Sequence, residues 1–175
     1  MKQCNNGTIK KGFTLLEVII AIFLVTVGMS AVLVLITKTI TTMALSFSQL
    51  TAAYLTQEGI EIVRNIRDTN WIEGADWDDG LVCSPLPCQF EAEADYDDLD
   101  LTTYTHLGRY LKFDGGFYNY DSGSDTKFKR KITITPIDLE PDGINDILEV
   151  TILVLWTEKR ETYSHTAQEK LYKWR

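Results

Sequence analysis

Three groups of residues in this chain have types and spacings that could do chemistry. The first is a single carboxylate, Glu17, in the run "KGFTLLEVIIAIFLVTVGMSAVLVLI". A charge at the centre of a bilayer costs roughly 3 kcal/mol on insertion scales, so a lone acid in such a run asks for a partner. The second is "CSPLPC", which sets Cys83 and Cys88 close together. The third is "DLEPDGINDILE", which puts Asp138, Glu140, Asp142, Asp146 and Glu149 at positions one, three, five, nine and twelve of a calcium loop, with Gly143 at the sixth. Pro141 is foreign to that pattern, and Asn145 stands where an aliphatic residue usually sits. The flanks read as strands rather than helices, and an Asp-Gly turn between two strands explains most of the match. The acidic stretch at 91–100 is a vaguer calcium candidate and reads more simply as a solvated loop. No cofactor is expected apart from calcium as the minor reading.

Catalysis has little to build on. No glycine-rich phosphate loop is present, and His106 and His165 lack partners at motif spacing. No residue is therefore expected to be catalytic, and the chain is read as a non-enzyme. The aromatics Tyr104, Tyr110, Phe113, Phe117, Tyr118 and Tyr120 are read as core or cross-strand pairs rather than a binding patch. The formal net charge is −8. Without the first twelve residues, basic residues fall from 17 to 14 against 25 acids, a balance of −11. Such a surface repels phosphate backbones and argues against nucleic-acid binding. The segment "KFKRK" puts Lys127, Lys129 and Lys131 on one strand face, read as a solvated face opposite acidic neighbours.

The elements that must position these residues follow from periodicity. Phe13–Ile36 is a largely apolar run in which Glu17 is the only charged residue, and it exceeds the roughly 20 residues needed to span a bilayer. No polar region with a small-residue cleavage site follows it, so it reads as a retained membrane helix. Lys2, Lys10 and Lys11 precede it without any acid, which puts that end in the cytoplasm. The remainder, Cys83 and Cys88 included, then lies outside the cytoplasm, where two close cysteines favour a disulfide over zinc. No proline occurs before Pro85, so a helix can run from Phe13 to about Asp68, with Gly28 and Gly59 as soft spots. Residues 37–70 are amphipathic, with Phe47, Leu50, Tyr54, Leu55, Ile62, Val63 and Ile66 as the face to bury. Residues 71–108 read as an irregular loop, and 109–175 as an antiparallel sheet whose apolar face that helix covers. Leu148, Val150, Ile152, Val154 and Trp156 share one strand face, and Asp114-Gly115-Gly116 marks a hairpin. The fold class is α+β: a long N-terminal helix and a C-terminal antiparallel sheet.

The front end resembles a known family. "KKGFTLLEVIIAIFLV", with its basic leader, Gly12, Phe13, Thr-Leu-Leu and Glu17, is similar to the prepilin leader of type IV pilins and type II secretion pseudopilins. "AAYLTQEGIEIVRNIRDTNW" and "VTILVLWTEKR" resemble the minor-pilin and pseudopilin I class. The resemblance implies a pilin-like fold and cleavage between Gly12 and Phe13 by a prepilin peptidase. It implies removal of residues 1–12 and N-methylation of Phe13. It further implies assembly with other pilin or pseudopilin subunits through residues 13–36, served by an inner-membrane platform and a cytoplasmic ATPase. In such families the acid matching Glu17 pairs with the terminal amine of a neighbouring subunit; an amine four residues away in the same chain leaves a pair within one chain equally open. The expected location is the cytoplasmic membrane, single-pass, and then a filament or the cell surface. The alternative is an anchored extracytoplasmic enzyme or binding domain that uses the helix only as a tether.

Overall fold

The computed structural model describes residues 12–83, 88–105, 108–140 and 143–173. The architecture is α+β, with one long helix and two antiparallel sheets. Helix α1 is Leu15–Glu73. It continues through Gly28 and Gly59 and extends past the expected stop at Asp68. The stop is set by Gly74, whose φ of 76° lets Ala75 N–H return to Asn70 O at 2.9 Å. That is a Schellman closure, a signal that lies in Gly74 rather than in the polar Asp68-Thr69-Asn70.

The chain divides into two compact units, residues 1–44 and 45–175. In the second, strands β1 (Phe90–Glu93), β2 (Thr102–Thr103), β6 (Phe128–Ile137), β7 (Ile147–Glu158) and β8 (Glu161–Tyr172) form one sheet in the order β2-β1-β6-β7-β8. Strands β3 (Lys112–Asp114), β4 (Phe117–Asn119) and β5 (Ser124–Asp125) form a separate sheet in the order β4-β3-β5. The single sheet expected for 109–175 is thus two sheets. The expected irregular loop at 71–108 supplies two strands of the larger one. Its acids hid the alternation: Glu93 is buried, yet Arg109 meets it through Nε at 2.8 Å and backbone N–H at 3.1 Å. Two β3–β4 turn residues, Gly115 and Gly116, have φ of 58° and 101°, the twist a two-residue hairpin requires.

Alternation along β6 and β7 supplies one face of the core. Phe128, Ile132, Ile134, Leu148, Val150, Ile152, Val154 and Trp156 are all buried. Helix residues Ala52, Leu55, Ile62, Val63 and Ile66 complete it. A Cβ built on Gly59 would lie 2.9 Å from Ile152 Cγ2, so this glycine permits the close approach of helix and sheet. Gly59→Ala gains about 1 kcal/mol of helix propensity. Overpacking costs about 1–3 kcal/mol. A net loss near 1 kcal/mol is expected, read as a fall of a few degrees in Tm.

The expected inward face is only half correct. Phe47, Leu50 and Tyr54 are exposed. Their place towards the sheet is taken by Ser48, Ala52, Leu55 and Gly59, spaced at four, three and four.

Candidate processing and assembly site

Gly12, Phe13 and Thr14 precede the helix in irregular backbone. Phe13 is 81% exposed, and among the described residues no further atom comes within 4 Å of a Cβ built on Gly12. The Gly12–Phe13 bond is therefore accessible. Thr14 caps the helix: its Oγ1 accepts the Glu17 N–H at 3.3 Å, and its carbonyl accepts the Val18 N–H at 3.2 Å. Thr14 and Glu17 thus stand at the N-cap and N3 positions, the spacing of a capping box. The acid sits in the first turn, where the helix dipole favours negative charge. The Thr14 role was readable from the Thr-x-x-Glu spacing but was overshadowed by the charge of Glu17. Among the described residues Glu17 has no ion-pair partner. The cation nearest in sequence would be the Phe13 amine, which exists only once the chain is cut.

The helix beyond Glu17 is long and apolar enough to cross a membrane, and none of that stretch is buried within the chain. Its hydroxyls are satisfied internally. Thr26 donates to Phe23 O at 2.9 Å, Ser30 to Val27 O at 2.8 Å and Thr37 to Val34 O at 2.9 Å. Such back-bonding removes the penalty of a bare hydroxyl in an apolar medium. A Cβ on Gly28 would meet nothing within 4 Å, so this glycine is not needed for any contact within the chain.

That leaves an exposed Gly12–Phe13 bond, a capped helix start and an acid at a fixed distance from both. Residues 8–33 match the prokaryotic N-terminal methylation motif. The match covers the junction, Thr14 and Glu17, and it supports the type IV pilin-like reading of the front end. No curated protein and no solved structure matches the chain.

The remaining candidate residues are placed as follows. Cys83 and Cys88 form a disulfide with Cα atoms 5.9 Å apart. Closing so short a loop stabilises by about 2 kcal/mol in the chain-entropy model. Reductant should lower the wild-type Tm by several degrees, Cys88→Ser should start at that lower value, and reductant should not shift it further. Asp138 Oδ2 accepts the Gly143 N–H at 3.0 Å, and Asp146 Oδ2 accepts the Leu139 N–H at 2.8 Å. Both acids are engaged in holding the turn. Glu149 lies on β7, 3.6 Å from Lys170 Nζ. Glu140 is exposed. Among the described residues no three His, Cys, Asp or Glu side chains are grouped to hold a metal. Asp142, His106, Cys4 and the leader lysines fall outside the described residues.

Lys129 and Lys131 alternate along β6, Lys127 immediately precedes it and reaches Ser48 of the helix at 2.7 Å, and each has a neighbour. Lys127 is paired with Glu158, and Lys131 donates to Glu91 at 2.6 Å. Lys129 lies over the Tyr110 ring, 4.4 Å from its centroid. Of the aromatics singled out, Phe113 and Tyr118 form a cross-strand edge contact at 5.2 Å, and Tyr120 alone is buried. Burial pushes the Tyr120 hydroxyl up to about 12, with the Glu93 carboxylate adding to the effect. Burial also raises Asp95, the like charges of Asp98 and Asp121 add to it, and the Tyr120 N–H at 2.8 Å opposes it.

Proposed function

We propose that this chain is a structural subunit, a minor pilin or pseudopilin, of a type IV pilus-like or type II secretion filament. The match of residues 8–33 to the methylation motif carries the reading, because it spans the accessible Gly12–Phe13 bond and Glu17 together. A prepilin peptidase cuts after Gly12 on the cytoplasmic side and methylates the new amine of Phe13. Residues 13–36 hold the subunit in the membrane, N-terminus inward, with the sheets outside. The subunit then enters a filament with other subunits, drawn by an inner-membrane platform and its ATPase.

Glu17 gives the assembly step its direction. An exposed carboxylate on an apolar helix is stabilised by a cation that is also leaving water. The methylated amine of Phe13 is that cation, supplied by cleavage itself. Intact-mass measurement of the membrane-extracted protein tests the processing step. The expected product lacks residues 1–12 and carries one added methyl group. A mature chain still beginning at Met1 would refute the proposal.

A further inference from the structure

The hairpin that joins β7 to β8 turns on Lys159 and Arg160, with Glu158 paired to Glu161 across it. Both turn residues lie in the left-handed region, with φ of 48° and 76°. A two-residue turn of this hand favours Asn-Gly or Gly-Gly, because other side chains are strained there. Lys-Arg accepts that strain, and what it adds over Asn-Gly is two exposed cations. More cations gather at the same end of the second unit. Lys127 pairs with Glu158, and its Nζ lies 2.7 Å from Ser48 Oγ on the helix. Lys129 is opposite Leu155 on the face of the sheet turned from the helix. With half-exposed Tyr110, Thr157 and Thr162, these two lysines line a shallow cavity of about 200 Å³. The four cations face Asp125, Glu158 and Glu161, in a chain that is strongly acidic elsewhere. The opposite end of the unit, where Asn145 Nδ2 meets Asp78 Oδ2 at 2.6 Å, exposes Glu73, Asp76, Asp79 and Glu140. The 12 residues of β7 separate the two ends, so the second unit is charge-polarised along its strands.

The connection along the chain selects the partner. Ser48, beside the basic end, is only twelve residues beyond Ile36, where the apolar run stops. A chain of that length spans at most about 40 Å even when fully extended. Once the run is inserted, the tether keeps Lys159 and Arg160 at high effective concentration over the membrane surface. Anionic headgroups attract such cations within a Debye length, roughly 8 Å at physiological salt. A tyrosine beside the lysines suits the same interface, with its ring among acyl chains and its hydroxyl in water. We infer that the Lys159–Arg160 tip, with Lys127, Lys129 and Tyr110, docks the second unit on the phosphates of anionic lipid headgroups. The docked state belongs to the membrane pool, and the tip leaves the lipid when the subunit enters a filament. This rests on the membrane-anchored subunit proposed above.

The full chain carrying a photo-crosslinking amino acid at position 162, reconstituted in vesicles of phosphatidylcholine with or without phosphatidylglycerol, tests it. Lipid adducts should be at least fivefold more abundant with phosphatidylglycerol, and high salt should remove that excess. The same probe at exposed Leu139, near the acidic end, should give no lipid adduct. The double variant Lys159→Gln, Arg160→Gln should lose the excess. Lys159→Asn, Arg160→Gly should lose it equally while keeping or raising the wild-type Tm, so that the loss is one of charge and not of fold. Equal adducts in the two lipids, unchanged adducts in either variant, or adducts with the acidic end of a neighbouring subunit in place of lipid overturn the inference. Those results leave the filament reading intact if the chain is still cut and incorporated in cells; a chain that never inserts overturns both.

Discussion

Glu17→Ala is expected to leave cleavage, methylation and membrane insertion intact and to reduce filament incorporation on the order of ten- to a hundredfold. The separation of the steps follows from the order of events. Among the described residues the acid has no ion-pair partner before the chain is cut, so its removal is expected to take nothing from the peptidase substrate except a charge. Insertion should improve, since a charge worth roughly 3 kcal/mol against the bilayer is gone. The loss appears only when the Phe13 amine must leave water beside the helix. A charge-assisted hydrogen bond contributes about 1.5–3 kcal/mol. At about 1.4 kcal/mol per factor of ten, that range gives the expected loss. Glu17→Gln should fail nearly as badly, because it keeps shape and loses charge. Thr14→Val should do less: it removes a cap worth about 1 kcal/mol and frays the turn that presents the acid. Quantifying the mature subunit in sheared filaments against the membrane pool reads all three. Wild-type incorporation of Glu17→Ala would remove the assembly role from this residue.

How far the fold was legible depends on whether the signal was local. The long helix was readable because apolar spacing and the absence of proline act over neighbouring residues. Its end was misplaced because a C-terminal closure depends on one glycine, Gly74, and polarity at Asp68 suggested an earlier stop. Strands β6, β7 and β8 were readable from period-two alternation. Strands β1 and β2 were not, since β1 is "FEAE" and an alternating acid looks solvated. Only the return of Arg109 to Glu93 makes that burial tolerable, and such a contact carries no periodic signature.

The site divides in the same way. The N-terminal methylation motif at residues 8–33, which spans Gly12, Phe13 and Glu17, was legible because its spacing runs along the chain. The inward face of the helix was legible only in part. Leu55, Ile62, Val63 and Ile66 face the core, whereas Phe47, Leu50 and Tyr54 do not. Size and apolarity alone cannot tell which side of a doubly apolar helix meets its own sheet. The small residues Ala52 and Gly59 decided it, by allowing the backbone to come close.

Arg130→Ala is expected to be the most destabilising single change in the second unit. The side chain is fully buried. Its guanidinium donates to Glu58 Oε1 at 2.6 Å on the helix and to Ala94 O at 2.6 Å on the loop after β1. A longer contact reaches Leu55 O at 3.4 Å, and the backbone carbonyl of Arg130 accepts the Tyr120 hydroxyl at 3.2 Å. One residue of β6 therefore ties helix, sheet and the Ala94–Tyr120 region together. Truncation leaves the Ala94 carbonyl unpaired and a cavity in the core. The unpaired carbonyl costs about 1–3 kcal/mol and the cavity adds to it, for about 3–5 kcal/mol in all. At about 4 °C per kcal/mol for a unit of this size, Tm should fall by roughly 12–20 °C. Glu58→Ala should cost about 3 kcal/mol, because it leaves the fully buried Arg130 guanidinium without its carboxylate, although its carbonyl acceptors remain. Arg130→Met separates packing from charge. It fills the volume and frees Glu58 to water, so the remaining loss is that of the unpaired Ala94 carbonyl, about 1–3 kcal/mol. If calorimetry of the full chain in detergent gave equal losses for Met and Ala, volume would not be the difference, and the charge network alone would carry the effect.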